Sequence, residues 1–272
     1  MPKAFILSGG GSKGAFEVGV LRQLQGAGVS FDAVYGTSVG SLNAVGYSFM
    51  DASRLYDLWN VHINKTSDVF GNKFLPVAIF EMLFCKGKGF YNMDPLNTIV
   101  TTIVRNNEPR IPATVCFVNL TLQTPLYATA SPIQKADSIF IKSVVASAAT
   151  PVLNDLIDGT YCDGGLRHIT PVNKAIQDGA TELCLILCEP YESSDPSTPP
   201  GNFIDTGLKA IGALVQEIFW RDAQDAINSG LPVTIYAPLT NLPSATDFSH
   251  KTIAASLQLG LTAQPVKVAN KK

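Results

Sequence analysis

Two glycine turns near the start of the chain limit what it can fold into more than any other feature. GGGSKG at residues 9–14 follows a short apolar run at 3–7 and leads into residues 14–24, whose apolar side chains recur at helical spacing. GTSVG at 36–40 follows a second apolar run at 31–35 and leads into another helical stretch. A strand, a tight turn and a helix thus occur twice in succession, which predicts parallel strands connected by helices.

The rest of the chain continues this alternation of strands and helices. Further strands are predicted at 114–120, 126–129, 182–188 and 233–237. Further helices are predicted near 94–105, 134–148, 171–178, 204–228 and 252–260. We therefore expect an α/β fold with a mainly parallel central sheet, helices on both of its faces, and a ligand site beyond the carboxyl ends of the strands. The Pro- and Ser-rich stretch at 193–201 is expected to be a flexible loop inside one domain that spans 1–272.

Composition and charge disfavour several classes of function. The net charge of -2, without a cluster of Lys and Arg, argues against a nucleic-acid partner. Five cysteines without a C-x-x-C pair, and no signal peptide, predict reduced thiols, no zinc site and a cytoplasmic protein. No uncharged apolar run reaches about 18 residues, so we expect no transmembrane helix. Charged residues make up only 15% of the chain, against about 25% in an average domain, which is compatible with peripheral membrane contact.

The first glycine turn, GGGSKG, also fits the G-x-G-x-x-G pattern of a dinucleotide-binding turn. That function needs an acidic residue at the end of the second strand, whereas Asp32 precedes this strand and Gly36-Thr37-Ser38 follow it. A Walker phosphate loop is excluded because Lys13 is followed by glycine and the four-residue spacer is missing. A dinucleotide cofactor is therefore disfavoured.

The second glycine turn has the form G-x-S-x-G, which places a serine hydroxyl on a sharp elbow between a strand and a helix. Ser38 is the candidate nucleophile, and its alternative role is to cap the helix that follows. If Ser38 attacks an ester carbonyl, the negative charge that develops on the carbonyl oxygen needs preorganised donors. The backbone amides of Gly9, Gly10 and Gly11, at the start of a helix, are the candidate oxyanion hole.

The base that would activate Ser38 has two interpretations. In a Ser-Asp-His triad the acid would be Asp155, Asp158 or Asp163 and the base His168 or His250. However, the α/β-hydrolase fold builds several strands before its elbow, whereas only two are predicted before Ser38. In the other interpretation Asp163, within YCDGGL, is itself the base, although an isolated Asp-Gly-Gly is more often a simple turn.

Three motifs in order along the chain, GGGSKG, GTSVG and the DGG of 163–165, resemble the motifs of the patatin-like phospholipase family. Segments 87–96 (GKGFYNMDPL), 146–151 (ASAATP) and 163–172 (DGGLRHITPV) also resemble segments of that family. The resemblance covers roughly residues 3–188. Each motif alone is moderately specific, whereas the ordered set is specific.

The resemblance implies a lipid acyl hydrolase with a three-layer α/β/α fold and phospholipids or acyl glycerols as substrates. It implies a Ser38–Asp163 dyad that acts through an acyl-enzyme intermediate and requires no histidine, metal or cofactor. The oxyanion loop would then be Gly9, Gly10 and Gly11, and the other motif glycines Gly14, Gly36, Gly40, Gly164 and Gly165. Acyl transfer or thioester hydrolysis at the same serine, and lipid binding without turnover, are the alternatives.

The dyad requires an unusual setting for Asp163, because an aspartate with an ordinary pKa near 4 is a weak base at neutral pH. We predict that Asp163 is largely buried and contacts Ser38. Relatives commonly carry asparagine where this chain has His168, which we interpret as a hydrogen-bonded residue at a turn. His62 and His250 are interpreted as capping or surface residues.

The segment at 69–90 is apolar nearly all round, with few charges. One interpretation is a core helix after Pro76, and the other is a lid or a membrane-contact face beside the cleft. In the second case Phe80 and Phe84 are candidate contacts for acyl chains. Lys13 is a candidate contact for a lipid headgroup, unless it is simply solvated or paired.

Overall fold

A computed structural model describes residues 2–191, 199, 201 and 203–266 of the chain. In chain order the strands are β1 (Lys3–Leu7), β2 (Ala33–Thr37), β3 (Gly71–Asn72), β4 (Tyr91–Asn92), β5 (Ala113–Asn119), β6 (Thr124–Ala130), β7 (Tyr161–Asp163), β8 (Glu182–Ile186) and β9 (Val233–Tyr236). The helices are α1 (Gly14–Gly26), α2 (Val39–Phe49), α3 (Ala52–Asp57), α4 (Leu75–Phe84), α5 (Asp94–Asn106), α6 (Ser138–Ser147), α7 (Val172–Gln177), α8 (Phe203–Asn228) and α9 (His250–Leu261).

One sheet of seven strands lies at the centre of the described part of the chain. Five strands, in the order β5, β2, β1, β8 and β9, run parallel. Strands β6 and β7 both pair with β5 in the antiparallel sense. In the middle of the sheet, Leu7 of β1 is aligned with Gly36 of β2 and with Ile186 of β8. The prediction of a mainly parallel central sheet is confirmed.

Alternate residues of β1 pack into two cores, one on each face of the sheet. Phe5 and Leu7 belong to a large core that includes residues of α1, α2, α3, α5, α6 and α9. Ala4 and Ile6 belong to a second core that includes residues of α7 and α8. Because successive side chains of a strand point to opposite faces, the four residues AFIL supply both cores. The architecture is therefore three-layered, with helices on both faces as predicted.

The start of α6 differs from the prediction because of a side-chain cap. The helix was expected near residue 134 and begins at Ser138. An oxygen of Asp137 accepts a hydrogen bond from the Phe140 amide at 2.8 Å, which satisfies a donor that the first helical turn leaves free. Asp137, which precedes the apolar residues of α6, therefore marks the true beginning of the helix.

Strand β2 runs two residues later than the predicted 31–35. The Lys3 amide donates to the Asp32 carboxylate at 2.8 Å, and the Asp32 amide donates to the Lys3 carbonyl at 2.8 Å. The regular register with β1 then begins at Ala33, which lies opposite Ala4. As a consequence β2 ends at Thr37, directly before Ser38.

Helix α4 is exposed, so its interpretation as a core helix after Pro76 is wrong. Ala78 is the only buried residue of this helix, whereas Leu83 and Phe84 are 71% and 72% exposed. No helix within the described residues is long and apolar enough to cross a bilayer. The loop predicted at 193–201 lies outside the described residues, except for residues 199 and 201.

Shortening a central side chain tests the two-core arrangement. We expect Ile6→Ala to lower the free energy of unfolding by about 2–5 kcal/mol, because Ile6 is 0% exposed and the substitution leaves a cavity. Ile133→Ala is the matched control, since Ile133 is 97% exposed and its truncation should change stability by less than about 0.5 kcal/mol. Urea unfolding followed by circular dichroism measures both. Equal effects of the two substitutions would contradict the assignment of the core.

Candidate active site

Ser38 lies on a sharp elbow between β2 and α2, in a backbone conformation that is unfavourable for its side chain. Its φ of 55° is in the left-handed region, which costs a residue with a β-carbon energy. The Ser38 amide donates to the Ser147 hydroxyl at 2.9 Å, and that hydroxyl donates to the Cys116 carbonyl at 2.5 Å. The Ser41 hydroxyl donates to the Ser38 carbonyl at 2.6 Å. These hydrogen bonds hold the strained elbow in place.

Glycines on both sides of Ser38 allow this elbow to pack against the end of β1. A β-carbon on Gly40 would lie 2.4 Å from the carbonyl oxygen of Leu7, and one on Gly36 would lie 2.1 Å from the carbonyl oxygen of Gly40. Both distances are far below a normal contact between a carbon and an oxygen atom. The G-x-S-x-G pattern is thus a steric requirement of this turn.

Asp163, the last residue of β7, is buried and hydrogen-bonded to Ser38, as predicted. The Ser38 hydroxyl donates to its Oδ2 at 2.7 Å, and Asp163 is only 7% exposed. The Thr150 hydroxyl also donates to Oδ2, at 3.3 Å, while the Gly165 amide donates to Oδ1 at 2.7 Å. The carboxylate is therefore fixed by three donors, one of which is the candidate nucleophile.

Burial raises the pKa of Asp163 from 3.8 to about 6. The hydrogen bonds from Ser38, Gly165 and Thr150 lower this pKa, but removal of the carboxylate from water has the larger effect. At neutral pH the group is still ionised and able to accept a proton, and it is a stronger base than an exposed aspartate. The position of Asp163 in the fold therefore makes it a stronger base than an ordinary aspartate.

The first glycine turn lies beside Ser38, but its three amides are not equivalent. A β-carbon on Gly9 would lie 3.1 Å from that of Ser38, which places the turn next to the candidate nucleophile. The Gly9 amide donates to the Ile169 carbonyl at 3.0 Å and is already occupied. Within the described residues, no hydrogen bond uses the amides of Gly10 or Gly11. Of the three predicted oxyanion donors, the amides of Gly10 and Gly11 therefore remain as candidates.

Residues 5–176 match the sequence model of the patatin-like phospholipases. This chain belongs to the patatin-like phospholipase family. Members of this family are lipid acyl hydrolases. No curated protein matches the chain. VipD from Legionella pneumophila is a similar solved structure, with 15% identity and a TM-score of 0.41 over 97% of this chain and 68% of that chain.

In the described part of this patatin-like chain, no histidine is hydrogen-bonded to Ser38 or Asp163. Nδ1 of His168 lies 3.4 Å from an oxygen of Asp222, which is 1% exposed and also accepts from the Thr170 amide at 3.0 Å. His62 and His250 are exposed. His168 is thus a hydrogen-bonded turn residue, and the structure supplies no base for a histidine triad.

The other two acids of the alternative triad belong to ion pairs elsewhere in the patatin-like fold. Asp155 accepts from Lys73 at 2.5 Å and from Lys88 at 3.3 Å, and these interactions lower its pKa below the ordinary value despite partial burial. Asp158 accepts from Lys142 at 3.1 Å. Of the three candidate acids, Asp163 is the one that contacts Ser38.

Two residues that sequence analysis missed, Glu17 of α1 and Asn43 of α2, connect the helices that follow the two glycine turns. The Asn43 side-chain amide donates to the Gly14 carbonyl at 2.9 Å and to a Glu17 oxygen at 2.8 Å. The Trp59 indole donates to the Asn43 side-chain oxygen at 3.0 Å. Glu17 is 0% exposed, and its position inside the apolar run of α1 was the available signal. The network connects the helix after the first glycine turn to the helix after the Ser38 elbow.

The three candidate substrate contacts do not converge on the dyad. Lys13, the candidate headgroup contact, forms an ion pair with Glu189, in agreement with its alternative interpretation as a paired residue. Phe80 and Phe84 pack against each other, with ring centroids 5.0 Å apart, on the exposed helix α4. No described hydrogen bond or ring contact joins any of the three to Ser38 or Asp163. Their roles toward a lipid therefore stay predictions.

The pH dependence of stability tests the burial of Glu17. Burial raises its pKa from 4.5 to about 8, so the folded protein holds a proton there that the unfolded chain releases above 4.5. Wild-type stability should therefore fall relative to that of Glu17→Gln as the pH rises from 4.5 to about 8, by at most about 1.4 kcal/mol per pH unit. The raised pKa of Asp163 affects the stability of both proteins equally, so it does not change the difference between them.

Thermal unfolding of both proteins across this pH range measures the difference. Glu108→Gln is the control, because the Glu108 side chain is 69% exposed and its substitution should produce no such trend. A difference in melting temperature between wild type and Glu17→Gln that stays constant with pH would show that Glu17 is ionised in the folded protein.

Proposed function

We propose that this protein hydrolyses carboxylic esters of phospholipids or acyl glycerols, with Ser38 as the nucleophile and Asp163 as the general base. The observation that carries the proposal is the 2.7 Å hydrogen bond from the Ser38 hydroxyl to the buried Asp163 carboxylate. A nucleophile and its base must be within this reach for proton transfer. Membership of the patatin-like phospholipase family supports a lipid as the substrate.

In the first half of the reaction, Ser38 Oγ attacks the carbonyl carbon of the ester while its proton moves to Asp163 Oδ2. The carbonyl electron pair becomes an oxyanion, for which the amides of Gly10 and Gly11 are the proposed donors. When the tetrahedral intermediate collapses, the bond to the leaving alcohol breaks and Asp163 returns the proton to that oxygen. The acyl group is then esterified to Ser38.

In the second half, water replaces the serine as the attacking group. Asp163 accepts a proton from the water, whose oxygen attacks the acyl carbon, and the same proton is then returned to Ser38 Oγ as the ester bond breaks. Thr150 and Gly165 hold both carboxylate oxygens by hydrogen bonds, so one carboxylate orientation serves both halves. The fatty acid is released and the resting site is restored.

Acyl transfer and thioester hydrolysis use the same acyl-enzyme and differ only in the acceptor or the leaving group. Mass spectrometry of the products formed with and without an added alcohol acceptor separates hydrolysis from transfer. Lipid binding without turnover is the alternative from a different class. The strained backbone at Ser38 and its hydrogen bond to a buried carboxylate disfavour it, because binding alone requires neither feature.

Substitution of the dyad tests the proposed mechanism. Ser38→Ala and Asp163→Asn should each lower the rate of hydrolysis of a medium-chain nitrophenyl ester by about three orders of magnitude or more, because each removes a group that acts in the transition state. Ser38→Ala should also abolish labelling by a fluorophosphonate probe. His168→Ala and His250→Ala are controls that should retain most of the activity. If either histidine variant were as inactive as Ser38→Ala, a triad would replace the dyad.

The pH profile of the reaction tests the role of Asp163 independently. A general base acts in its ionised form, and burial raises the pKa of Asp163 to about 6. We therefore expect kcat/KM for the nitrophenyl ester to rise with pH and to level off above a midpoint near this value. A midpoint near the ordinary 3.8 of aspartate would contradict burial as the source of its basicity. The His168→Ala variant, as control, should keep the wild-type midpoint.

A further inference from the structure

Helix α4 directs its apolar face toward solvent, whereas a typical surface helix directs it toward the core. At about 100° per residue, Phe80 and Leu83 lie on the side opposite Ala78, the one buried residue. Phe80 is 59% exposed and Leu83 is 71% exposed. A surface helix ordinarily buries its apolar face and exposes its charged one. The outward face of α4, defined here as Val77, Ile79, Phe80, Leu83 and Phe84, carries no charge at all.

The charged residues around α4 are used to attach the helix to the rest of the fold. Glu81, the only acidic residue at positions 69–90, bonds to Lys73 at 2.9 Å. The Lys73 side chain is 10% exposed and also donates to Asp155 at 2.5 Å and to the Gly89 carbonyl at 3.1 Å. A partly buried cluster of three charges therefore fixes the helix with its apolar face outward.

Two exposed lysines follow this face in the chain. Lys86 and Lys88 are both exposed, and Lys88 also donates to Asp155 at 3.3 Å. The carboxylates of Glu81 and Asp155 already have lysine partners, whereas the exposed Asp94 lines the same surface pocket as Val77 and Lys88. A protein that exposes a contiguous apolar face of this kind ordinarily covers it with a partner. Apolar side chains flanked by lysines match the acyl region and the anionic headgroups of a lipid surface.

We propose that the outward face of α4 is a membrane-docking surface that inserts into the interface of an anionic lipid bilayer. A second copy of the chain fits less well, since face-to-face pairing would bring the exposed Lys86 and Lys88 of both copies together, against the single exposed carboxylate of Asp94 in the adjoining pocket. This inference deepens the proposed function. It rests on that function only for the statement that the lipid surface supplies the substrate.

The docking surface is joined directly to the segment that carries the base. The Tyr91 amide donates to the Leu153 carbonyl at 2.9 Å, and the Gly89 amide donates to the Asp155 carboxylate at 2.9 Å. In the segment 150–163, the first residue, Thr150, donates a hydrogen bond to the last residue, Asp163. Docking through α4 would therefore place the lipid against the part of the fold that supports the dyad.

Cys85 provides a reporter for this proposal, because it is exposed at the end of α4 while the other four cysteines are buried. The full chain carrying Ser38→Ala, labelled at Cys85 with an environment-sensitive NBD fluorophore, would be titrated with phosphatidylcholine vesicles containing about 30% phosphatidylglycerol. We expect a saturable blue shift, weaker with phosphatidylcholine alone. Cosedimentation of the unlabelled chain with the same vesicles measures binding without the fluorophore.

Substitutions locate the binding face. Phe80→Asp combined with Leu83→Asp should weaken vesicle partitioning at least tenfold, and Lys86→Glu with Lys88→Glu should remove the preference for anionic vesicles. Ile133→Asp is the matched control, since Ile133 is 97% exposed elsewhere on the surface and its substitution should leave partitioning unchanged. Circular dichroism checks that each variant is folded.

Three results would overturn the inference: no partitioning of the starting protein, equal partitioning of the α4 and Ile133 variants, or self-association in light scattering that the α4 substitutions abolish. The last result would assign the face to a second copy of the chain. Because binding is measured with Ser38→Ala and hydrolysis with a soluble ester, failure of docking and failure of the dyad are separate outcomes.

Discussion

The hydrogen bond between Ser38 and Asp163 joins residues 125 positions apart in the chain, and strand β5 makes it possible. β5 pairs with β2 on one side and with β7 on the other. Cys116 of β5 lies opposite Thr37, the residue before the nucleophile, and the next residue, Phe117, lies opposite Asp163. Two successive residues of one strand thus determine the separation of Ser38 and Asp163, so the contact between the proposed nucleophile and base depends on the sheet register.

The amide of Gly9 extends this dependence to the first glycine turn, the proposed oxyanion loop. It donates to the carbonyl of Ile169, and the residues on either side of Ile169 contact the buried carboxylate of Asp222 on α8. His168 and Thr170 therefore help to hold the segment on which the loop rests. This gives His168 a structural reason to be present near the site without acting as the base.

Much of the fold and part of the site could be predicted because their signals are local. The continuous apolar run of β1 and the glycines around Ser38 express requirements of adjacent residues, and both were predictable from short stretches. Asp163 was different, because Asp-Gly-Gly alone describes a turn and only the family resemblance singled it out. Its contact with Ser38 depends on the register of β7 against β5, which local sequence patterns do not specify.

The exposure of α4 and the hydrogen bond of the Gly9 amide could not be predicted either, because both depend on contacts between distant parts of the chain. An apolar helix has the same sequence whether its partner is the protein core or a lipid, so composition at 69–90 left both interpretations open. What distinguishes them is the position of the charges. Lys73, Glu81 and Asp155 are brought together only by the folded chain.

The same partly buried charges connect the proposed docking face to the segment that carries Asp163. Asp155 sits within the segment that runs from Thr150 to Asp163, and it accepts hydrogen bonds from Lys73 and from the Gly89 amide. A lipid that displaced α4 would have to break these bonds between partly buried charges, which is costly. A fixed α4 that holds the membrane at a set position relative to Ser38 therefore fits the contacts better than a lid that swings away.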